Sequence, residues 1–388
     1  MSERQGDSIK REVSPLELFF DLVFVLAIGQ LTHHLLAYLT WRGAAEAIVM
    51  LIGVCGVWAF TTFEATLLDI TKSATMTLVI AVMGLGLFMN AGVAHAFADG
   101  PWLFVIPLLL ALVGGATYAA ATAPSAHLRS HFLRVLVWFA ASAPLWVAGA
   151  WFAPDLRLWL WAGAALIDLL GVFTEHPLPG QRAHTEQLPF DADHMLERMR
   201  LFLIILLGET VLSIGRAVSD HYSEPLTLLA ALGGFVALVS LWFTYFGRAE
   251  QSALEHALTT DDPIRTVHLQ INVIYAVVLG LVTFAAGTEL VIAHPDEPQS
   301  GLGGVLLLGG PIFYLGGQAI YFRLITGRDW QTRALGAGLL ALGAAVAYWL
   351  PAMAAIALLV VILVALAVYL STDRPRLTSD SDMNRLLG

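Results

Sequence analysis

Long apolar segments, separated by short polar or Gly/Pro-containing breaks, run along almost the whole chain. A membrane-spanning helix needs about 20 mostly apolar residues, so each segment has the length of one span. The segments lie near residues 14–38, 43–63, 74–97, 101–122, 131–152, 158–175, 196–218, 225–247, 264–292, 302–325, 332–350 and 352–371. The pattern therefore predicts an all-α, polytopic transmembrane helical bundle of about twelve spans. The break between the last two segments is the weakest, since it depends mainly on Pro351.

The composition supports this prediction and limits the class of partners. Of the 388 residues, 58% are hydrophobic and 13% are charged, and the mean hydropathy is +0.74. Soluble domains carry about 25% charged residues. The formal net charge of −10 argues against a nucleic-acid partner, which would require clustered Lys and Arg. Membrane lipids are the expected surroundings.

The distribution of basic residues predicts the orientation. If the N-terminus is cytoplasmic, every Lys and Arg except Arg42, Arg157 and Arg216 falls in or next to a cytoplasmic segment. Such an asymmetry follows the positive-inside rule. We expect a multi-pass protein of the cell membrane with both termini in the cytoplasm.

The two halves of the sequence resemble each other span by span, which is typical of transporters. The paired signatures are Glu17 to Gln30 with Glu197 to Glu209, Trp58 to Glu64 with Trp242 to Phe246, and Pro107 to Tyr118 with Pro311 to Tyr321. Chance similarity between Leu/Ala/Gly-rich segments is the alternative. With a duplication, the expected organisation is two parallel six-helix repeats: tail 1–13, first repeat 14–175, linker 176–195, second repeat 196–371 and tail 372–388.

Ionisable side chains inside spans are costly and mark candidate functional positions. Glu17 and Asp21, in the first span, are spaced i,i+4 and share one helix face. Their repulsion would be relieved by a cation, and we expect Arg198 or Arg200 of the seventh span to supply it. The alternative places Glu17 in the headgroup region as an acid that stabilises the start of the helix.

The seventh span carries the densest group of charges: Glu197, Arg198, Arg200 and Glu209. Glu209 falls near the middle of the span, where a carboxylate facing lipid would be strongly disfavoured. Arg198 and Arg216 share its face but lie two to three turns away, which predicts no direct bond to either. Glu209 is therefore expected to line an internal polar cavity and to act as a proton carrier.

Three further polar residues complete the candidate pathway: Gln30, Asp168 and His268. For His268 a hydrogen-bonded packing role is the alternative. His33, His34 and Glu289, near span ends, are interpreted as solvated interfacial groups. HExxH, CxxC, P-loop and GxGxxG patterns are absent from the sequence, so no metal, cofactor or nucleotide is expected.

The run from Glu17 to Val25, the segment His194 to Arg198 and the segment Leu207 to Thr210 resemble the bacterial low temperature requirement A family. His268 and the aromatic run from Trp242 to Phe246 are similar to family features as well. The resemblance covers nearly the whole chain. It implies an integral membrane protein linked by its name to growth in the cold, a stress response, and it supplies neither substrate nor reaction.

These observations lead to three functional hypotheses. The first is a proton-coupled secondary transporter of a small solute, with a pathway between the two halves. The second is a membrane-embedded enzyme acting on a lipid or lipid-linked substrate, with Glu17, Asp21 or Glu209 as acid or base. The third is a channel or a stress-related membrane scaffold. The sequence indicates neither the solute nor the oligomeric state.

Overall fold

The computed structural model describes residues 13–68, 72–178, 191–220, 224–246 and 263–372. Most of the predicted N-terminal tail, linker and C-terminal tail lies outside these ranges. The described helices are α1 (Pro15–Ala37), α2 (Trp41–Leu68), α3 (Ser73–Gly92), α4 (Pro101–Thr122), α5 (Ala126–Trp151), α6 (Pro154–Thr174), α7 (Ala192–Asp220), α8 (Pro225–Tyr245), α9 (Pro263–Ala293), α10 (Gly301–Ile325), α11 (Trp330–Ala347) and α12 (Ala352–Thr372).

Within the described ranges, eleven helices are long and apolar enough to cross a membrane, which confirms the all-α, multi-pass prediction at that level. The helix outside this set is α11, with 18 residues. Its first turn is polar, containing Trp330, Gln331 and Arg333. At 1.5 Å per residue α11 is about 27 Å long, slightly less than the ~30 Å thickness of the hydrocarbon core.

Helix ends differ from the sequence prediction where local backbone chemistry intervenes. α7 begins at Ala192, so His194 lies on the helix instead of before it. α3 ends at Gly92 and continues as a 3-10 turn, Val93–His95. Inside α4, residues Leu110–Gly114 form a π-helical segment shortly after Pro107. Proline lacks the N–H of a regular helix, and π segments commonly accompany such irregularities.

The first six helices and the last six share six packing pairs. In the first half α1 packs on α2 and α3, α3 on α4, α4 on α5, α5 on α6, and α6 on α2. In the second half α7 packs on α8 and α9, α9 on α10, α10 on α11, α11 on α12, and α12 on α8. The halves meet where α1 packs on α7 and α9, and where α2 and α6 pack on α9.

The outer surface is apolar, as a lipid-facing surface must be. Leu342 and Val361 are 70% and 65% exposed. We call the end of the bundle where α1 begins the amino-terminal end and the other the opposite end. Trp41, Trp151 and Trp349 project at the opposite end, an arrangement typical of an aromatic belt at a membrane interface.

Candidate functional site

The start of α1 fixes the position of Glu17. Ser14 precedes the helix, and its hydroxyl accepts a hydrogen bond from the backbone N–H of Glu17 at 3.3 Å. The Glu17 carboxylate accepts from the Ser14 N–H at 2.8 Å, which completes a capping box. Glu17 therefore does stabilise the start of the helix, and the rest of its carboxylate faces the protein interior, where the side chain is 1% exposed.

A buried ionic group joins α1 to α7. Nε2 of His194 lies 2.8 Å from Oε1 of Glu17, and Nη1 of Arg198 lies 3.5 Å from the same oxygen. Nη2 of Arg198 donates to Oδ1 of Asp21 at 3.4 Å, and the Trp58 indole N–H donates to the same atom at 2.8 Å. We call Glu17, Asp21, His194 and Arg198 the Arg198 cluster. The expected contact of Glu17 and Asp21 with a cation of α7 is confirmed for Arg198.

Arg198 lies on a different face of α7 from Glu197 and Arg200, the candidate pathway residues next to it in the sequence. His194 and Arg198 are spaced i,i+4 and face α1, whereas Glu197 and Arg200 point away from it. Glu197 and Arg200 form an ion pair of 3.5 Å, with their side chains 47% and 45% exposed. Of these three predicted pathway residues, Arg198 is buried against α1, whereas Glu197 and Arg200 lie on the surface.

Glu209 has a direct partner, so the prediction of no bond to Arg216 is wrong. Nη2 of Arg216 donates to Oε1 of Glu209 at 3.1 Å and to the Ser213 hydroxyl at 2.9 Å. Side chains of a helix lean towards its N-terminus. The long arginine side chain therefore reaches back along α7 and covers the two turns that separate the backbones.

Glu209 lies at the contact between α1 and α7 instead of in the central cavity described below. A Cβ atom added at Gly29 would lie 2.6 Å from Oε1 of Glu209, so this glycine makes room for the carboxylate. The Glu209 side chain is 16% exposed. Gln30, the next residue on α1, is half-buried.

A central cavity of about 60 Å³ lies between α2, α5 and α6 of the first half and α9 of the second. Its walls are mainly apolar and aromatic. Two predicted residues, Asp168 and His268, line it, together with His131 and His176, which sequence reasoning did not select. Such an apolar cavity with a few convergent polar groups is typical of small-molecule sites.

Asp168 contributes a partly satisfied carboxyl to this cavity. The Trp146 indole N–H donates to its Oδ2 at 2.9 Å, whereas Oδ1 has no hydrogen-bond partner in the described part of the chain. The side chain is buried. The described residues therefore satisfy this buried carboxyl only in part.

The amino-terminal mouth of the cavity is polar and has a strained backbone. Glu175 and His176, directly after α6, have φ values of 61° and 55° in the left-handed region, which is uncommon for residues other than glycine. The His176 N–H donates to the Gly171 carbonyl at 2.8 Å and closes the end of α6. Nδ1 of His268 lies 3.4 Å from Oε1 of Glu175.

These contacts set the charge states at the mouth. The hydrogen bond from His268 lowers the pKa of Glu175, and the charges of His268, His131 and Arg134 lower it further against the effect of burial. Burial lowers the pKa of His176, and the positive charges of His268 and Arg134 act in the same direction. The mouth therefore combines an ionised Glu175 with a neutral His176.

Sequence reasoning also missed Glu64, which appeared only as part of a repeat signature. Glu64 is fully buried near the carboxyl-terminal end of α2, which lies at the amino-terminal end of the bundle, and neither carboxyl oxygen has a hydrogen-bond partner among the described residues. The available signal was an acid one turn after Phe60, in the part of α2 after Glu46 that contains no other charged residue. Whether Glu64 has a partner depends on the packing of α4 against α2, which the local sequence does not reveal.

At the opposite end, His34 is buried, so its interpretation as a solvated interfacial group is wrong. Its Nε2 lies 3.2 Å from Oε2 of Glu46, and Nε of Arg42 donates to Oε1 of Glu46 at 2.9 Å. His33 is exposed, as expected. A cavity of about 170 Å³ adjoins His34 and Glu46. No group of three or more His, Cys, Asp or Glu side chains in the described ranges is arranged to hold a metal ion.

Comparison with known proteins identifies the family. The model of the bacterial low temperature requirement A protein family matches residues 12–368. An uncharacterized protein of Rhizobium meliloti (strain 1021) is 31% identical over 320 residues, which cover 81% of this chain and 78% of that protein. No solved structure matches the chain. With a family match over almost its whole length, the chain belongs to the bacterial low temperature requirement A family of membrane proteins.

Proposed function

We propose that this protein is a proton-coupled secondary transporter of a small solute, with its pathway between the two halves of the bundle. The central cavity carries the proposal, because its walls come from α2, α5 and α6 on one side and from α9 on the other. Transporters built from repeats place their substrate sites at such an interface.

The proposed architecture is twelve spans in two parallel six-helix repeats. The protein would lie in the inner or plasma membrane, with both termini in the cytoplasm. The shared neighbour pattern of α1–α6 and α7–α12 supports the duplication. The position of α11 between α10 and α12 supports its assignment as the twelfth span, despite its polar first turn. In this orientation the amino-terminal end of the bundle is cytoplasmic.

Asp168 and His268 are the proposed pathway residues inside the cavity. Asp168 offers an oxygen without a hydrogen-bond partner, and His268 connects the cavity to Glu175 at its mouth. The Arg198 cluster holds α7 against α1 beside this pathway, since its two carboxylates share one guanidinium. Gln30, Glu197, Arg200 and Glu209 remain proposed pathway residues at the contact between α1 and α7 or on its surface.

The size of the cavity limits what it holds in this conformation. One water molecule requires roughly 10–15 Å³ of such volume, so about 60 Å³ accommodates only a few water molecules or a very small solute. A larger solute requires the two halves to separate. Movement of one half against the other is how repeat-based transporters alternate access.

Reconstitution into liposomes tests the proposal. Proteoliposomes with an imposed pH gradient are incubated with a mixture of small metabolites, and solute uptake is measured by mass spectrometry while a trapped pH dye follows protons. We expect uptake of at least one solute together with proton movement, and the loss of both in Asp168→Asn. The matched control is Asp296→Asn, an exposed carboxyl outside the cavity, which should transport normally.

Absence of uptake and proton movement in the wild type would contradict transport. Conversion of added lipid by the detergent-solubilised protein, without any gradient, would support the membrane-enzyme alternative instead. The two hypotheses therefore predict activity in different preparations.

A further inference from the structure

Glu64 is the buried acid of α2 that lacks a partner. Its side chain is 0% exposed, and both of its carboxyl oxygens lack hydrogen-bond partners within the described ranges. Burying an ionised carboxylate without a counter-charge costs several kcal/mol. The neutral, protonated form of Glu64 is therefore the form that suits this conformation.

The charged groups on the helices around α2 are engaged with other partners. Asp21 and Glu17 on α1 contact His194 and Arg198 of α7. Asp168 on α6 accepts from Trp146. The remaining ionisable groups nearby are His131 and Arg134 on α5, which contact each other at 3.4 Å, and His268 on α9, which contacts Glu175. Within the described ranges, none of these groups forms an ion pair with Glu64.

The carboxyl lies directly behind one wall of the central cavity. A Cβ atom added at Gly115 on α4 would lie 3.3 Å from Oε2 of Glu64 and 3.6 Å from Cε1 of Phe60. Phe60 lines the cavity, as does Leu112 of the π-helical segment. Phe60 and Leu112 therefore separate Glu64 from the cavity by about one layer of side chains.

The separating wall includes an irregular segment of α4. Leu110–Gly114 form the π-helical segment of α4 next to Glu64. Single π turns are frequent at functional sites, and their hydrogen-bond pattern differs from that of an α-helix by one residue. A change between the two patterns would rotate Leu112 and give Glu64 access to the cavity.

We propose that Glu64 is the proton-binding carboxyl of this protein and exchanges its proton with the central cavity across the Phe60–Leu112 wall. The role as coupling site depends on the proposed transport function, whereas the exchange itself does not. On binding, an O–H bond forms at the Glu64 carboxylate as the bond in a hydronium ion or a protonated cavity imidazole breaks. Release reverses this step and leaves a carboxylate that a cation or water must stabilise.

Infrared difference spectroscopy of the purified full chain tests the exchange without requiring transport. We expect a protonated-carboxyl band in the wild type that shifts in D₂O and is lost at high pH. Glu64→Gln should remove this band, and Glu64→Asp should restore one at a shifted frequency. The matched control is Glu46→Gln on the same helix, where the carboxylate is ion-paired with Arg42 and should contribute no such band.

Two results would overturn the assignment: a band that is unchanged in Glu64→Gln, or a wild-type band that does not shift in D₂O. Glutamine resembles a protonated glutamate in size and hydrogen bonding, so this variant should fold. If Glu64→Gln does not fold, the D₂O shift in the wild type and the displaced band in Glu64→Asp still test the assignment of the band to Glu64.

Proton movement in proteoliposomes then separates this inference from the proposed function. Loss of both the band and the proton flux in Glu64→Gln supports both. If the band is lost in Glu64→Gln but the wild-type protein moves neither protons nor solute, Glu64 is still a proton site and the transport function is rejected. Normal proton flux in Glu64→Gln rejects Glu64 as the coupling site even where transport is present.

Discussion

The two six-helix halves share their main packing pairs and differ in the buried polar groups that they contain. The first half supplies most of the cavity lining, the π segment of α4, and Glu64, which has no hydrogen-bond partner among the described residues. In the second half the buried Arg333 donates to Gln318 Oε1 at 2.9 Å, to the Thr244 carbonyl at 2.7 Å and to the Asp329 carbonyl at 3.1 Å.

Glycines show how closely the helices approach at different places in the bundle. At Gly310 and Gly287 the backbones of α9 and α10 approach so closely that a Cβ atom would collide with main-chain atoms. At Gly56, which lines the cavity, the nearest atom to an added Cβ is the Tyr275 hydroxyl at 3.9 Å. The α9–α10 contact is thus tightly packed, whereas the cavity wall at Gly56 has space.

The largest effect is expected where the halves are joined. Arg198→Leu leaves Glu17 and Asp21 buried without their cation, and breaking a buried pair costs about 3–5 kcal/mol. The free energy of unfolding in detergent should fall accordingly. Arg200→Leu, two residues away on a half-exposed pair, should change it by less than about 1 kcal/mol. Equal stability of the two variants would contradict a structural role for the Arg198 cluster.

A smaller effect should separate the α9–α10 contact from the cavity wall. Gly310→Ala forces α9 and α10 apart, and overpacking of this kind costs about 1–3 kcal/mol. Gly309→Ala, the adjacent glycine with no atom within 4 Å of its added Cβ, is the control and should be neutral or stabilising. Gly56→Ala, in the cavity wall, should be tolerated. A destabilisation of Gly56→Ala as large as that of Gly310→Ala would remove this contrast in packing.

Acid sensitivity should originate in the first half. His176 has a lowered pKa in the folded state, so its stabilising contribution is present above its ordinary value of 6.5 and is lost as the pH falls towards the folded pKa. His176→Asn removes the titration and keeps a residue that tolerates a positive φ. Thermal unfolding midpoints should fall less in this variant than in the wild type between about pH 7.5 and about pH 5.

The stabilising contribution of Glu175 is also lost as the pH falls, but in a lower pH range. Its folded pKa is depressed, so its contribution is present above 4.5 and is lost below it. An unchanged pH profile in His176→Asn would show that acid acts elsewhere in the chain.

The smallest effect on stability is expected at Glu209. Its partner Arg216 is 46% exposed, and such partly solvated pairs contribute about 0–1 kcal/mol. Glu209→Gln should therefore fold normally, and proton flux in proteoliposomes then compares it with Glu64→Gln. We expect the larger loss in Glu64→Gln, since Glu64 has no cation beside it. A larger loss in Glu209→Gln would return the proton-carrier role to Glu209, as the sequence alone predicted.

Properties that depend on short stretches of sequence were predictable. The membrane helices follow from local apolar length, and their ends were displaced by only a few residues where a cap, a proline or a π segment intervenes. The contact between α1 and α7 was also predictable, because Glu17 and Asp21 needed a cation and Arg198 lies on a helix with matching signatures. Even the choice of Arg198 over Arg200 follows helical phase.

Properties that depend on several helices at once were decided by the tertiary structure. Arg216 reaches Glu209 because Gly29 on another helix leaves space for the carboxylate. Asp168 and His268 meet in one cavity because α6 packs on α9. Glu64 is isolated because Gly115, Phe60 and the π segment of α4 surround it with groups that neither donate to it nor carry a charge. The sequence by itself determined which segments enter the membrane, since the cost of exposing polar groups to lipid is a property of each segment. Only the packed bundle determined which acids are paired, since pairing requires two distant segments to come within a few ångströms.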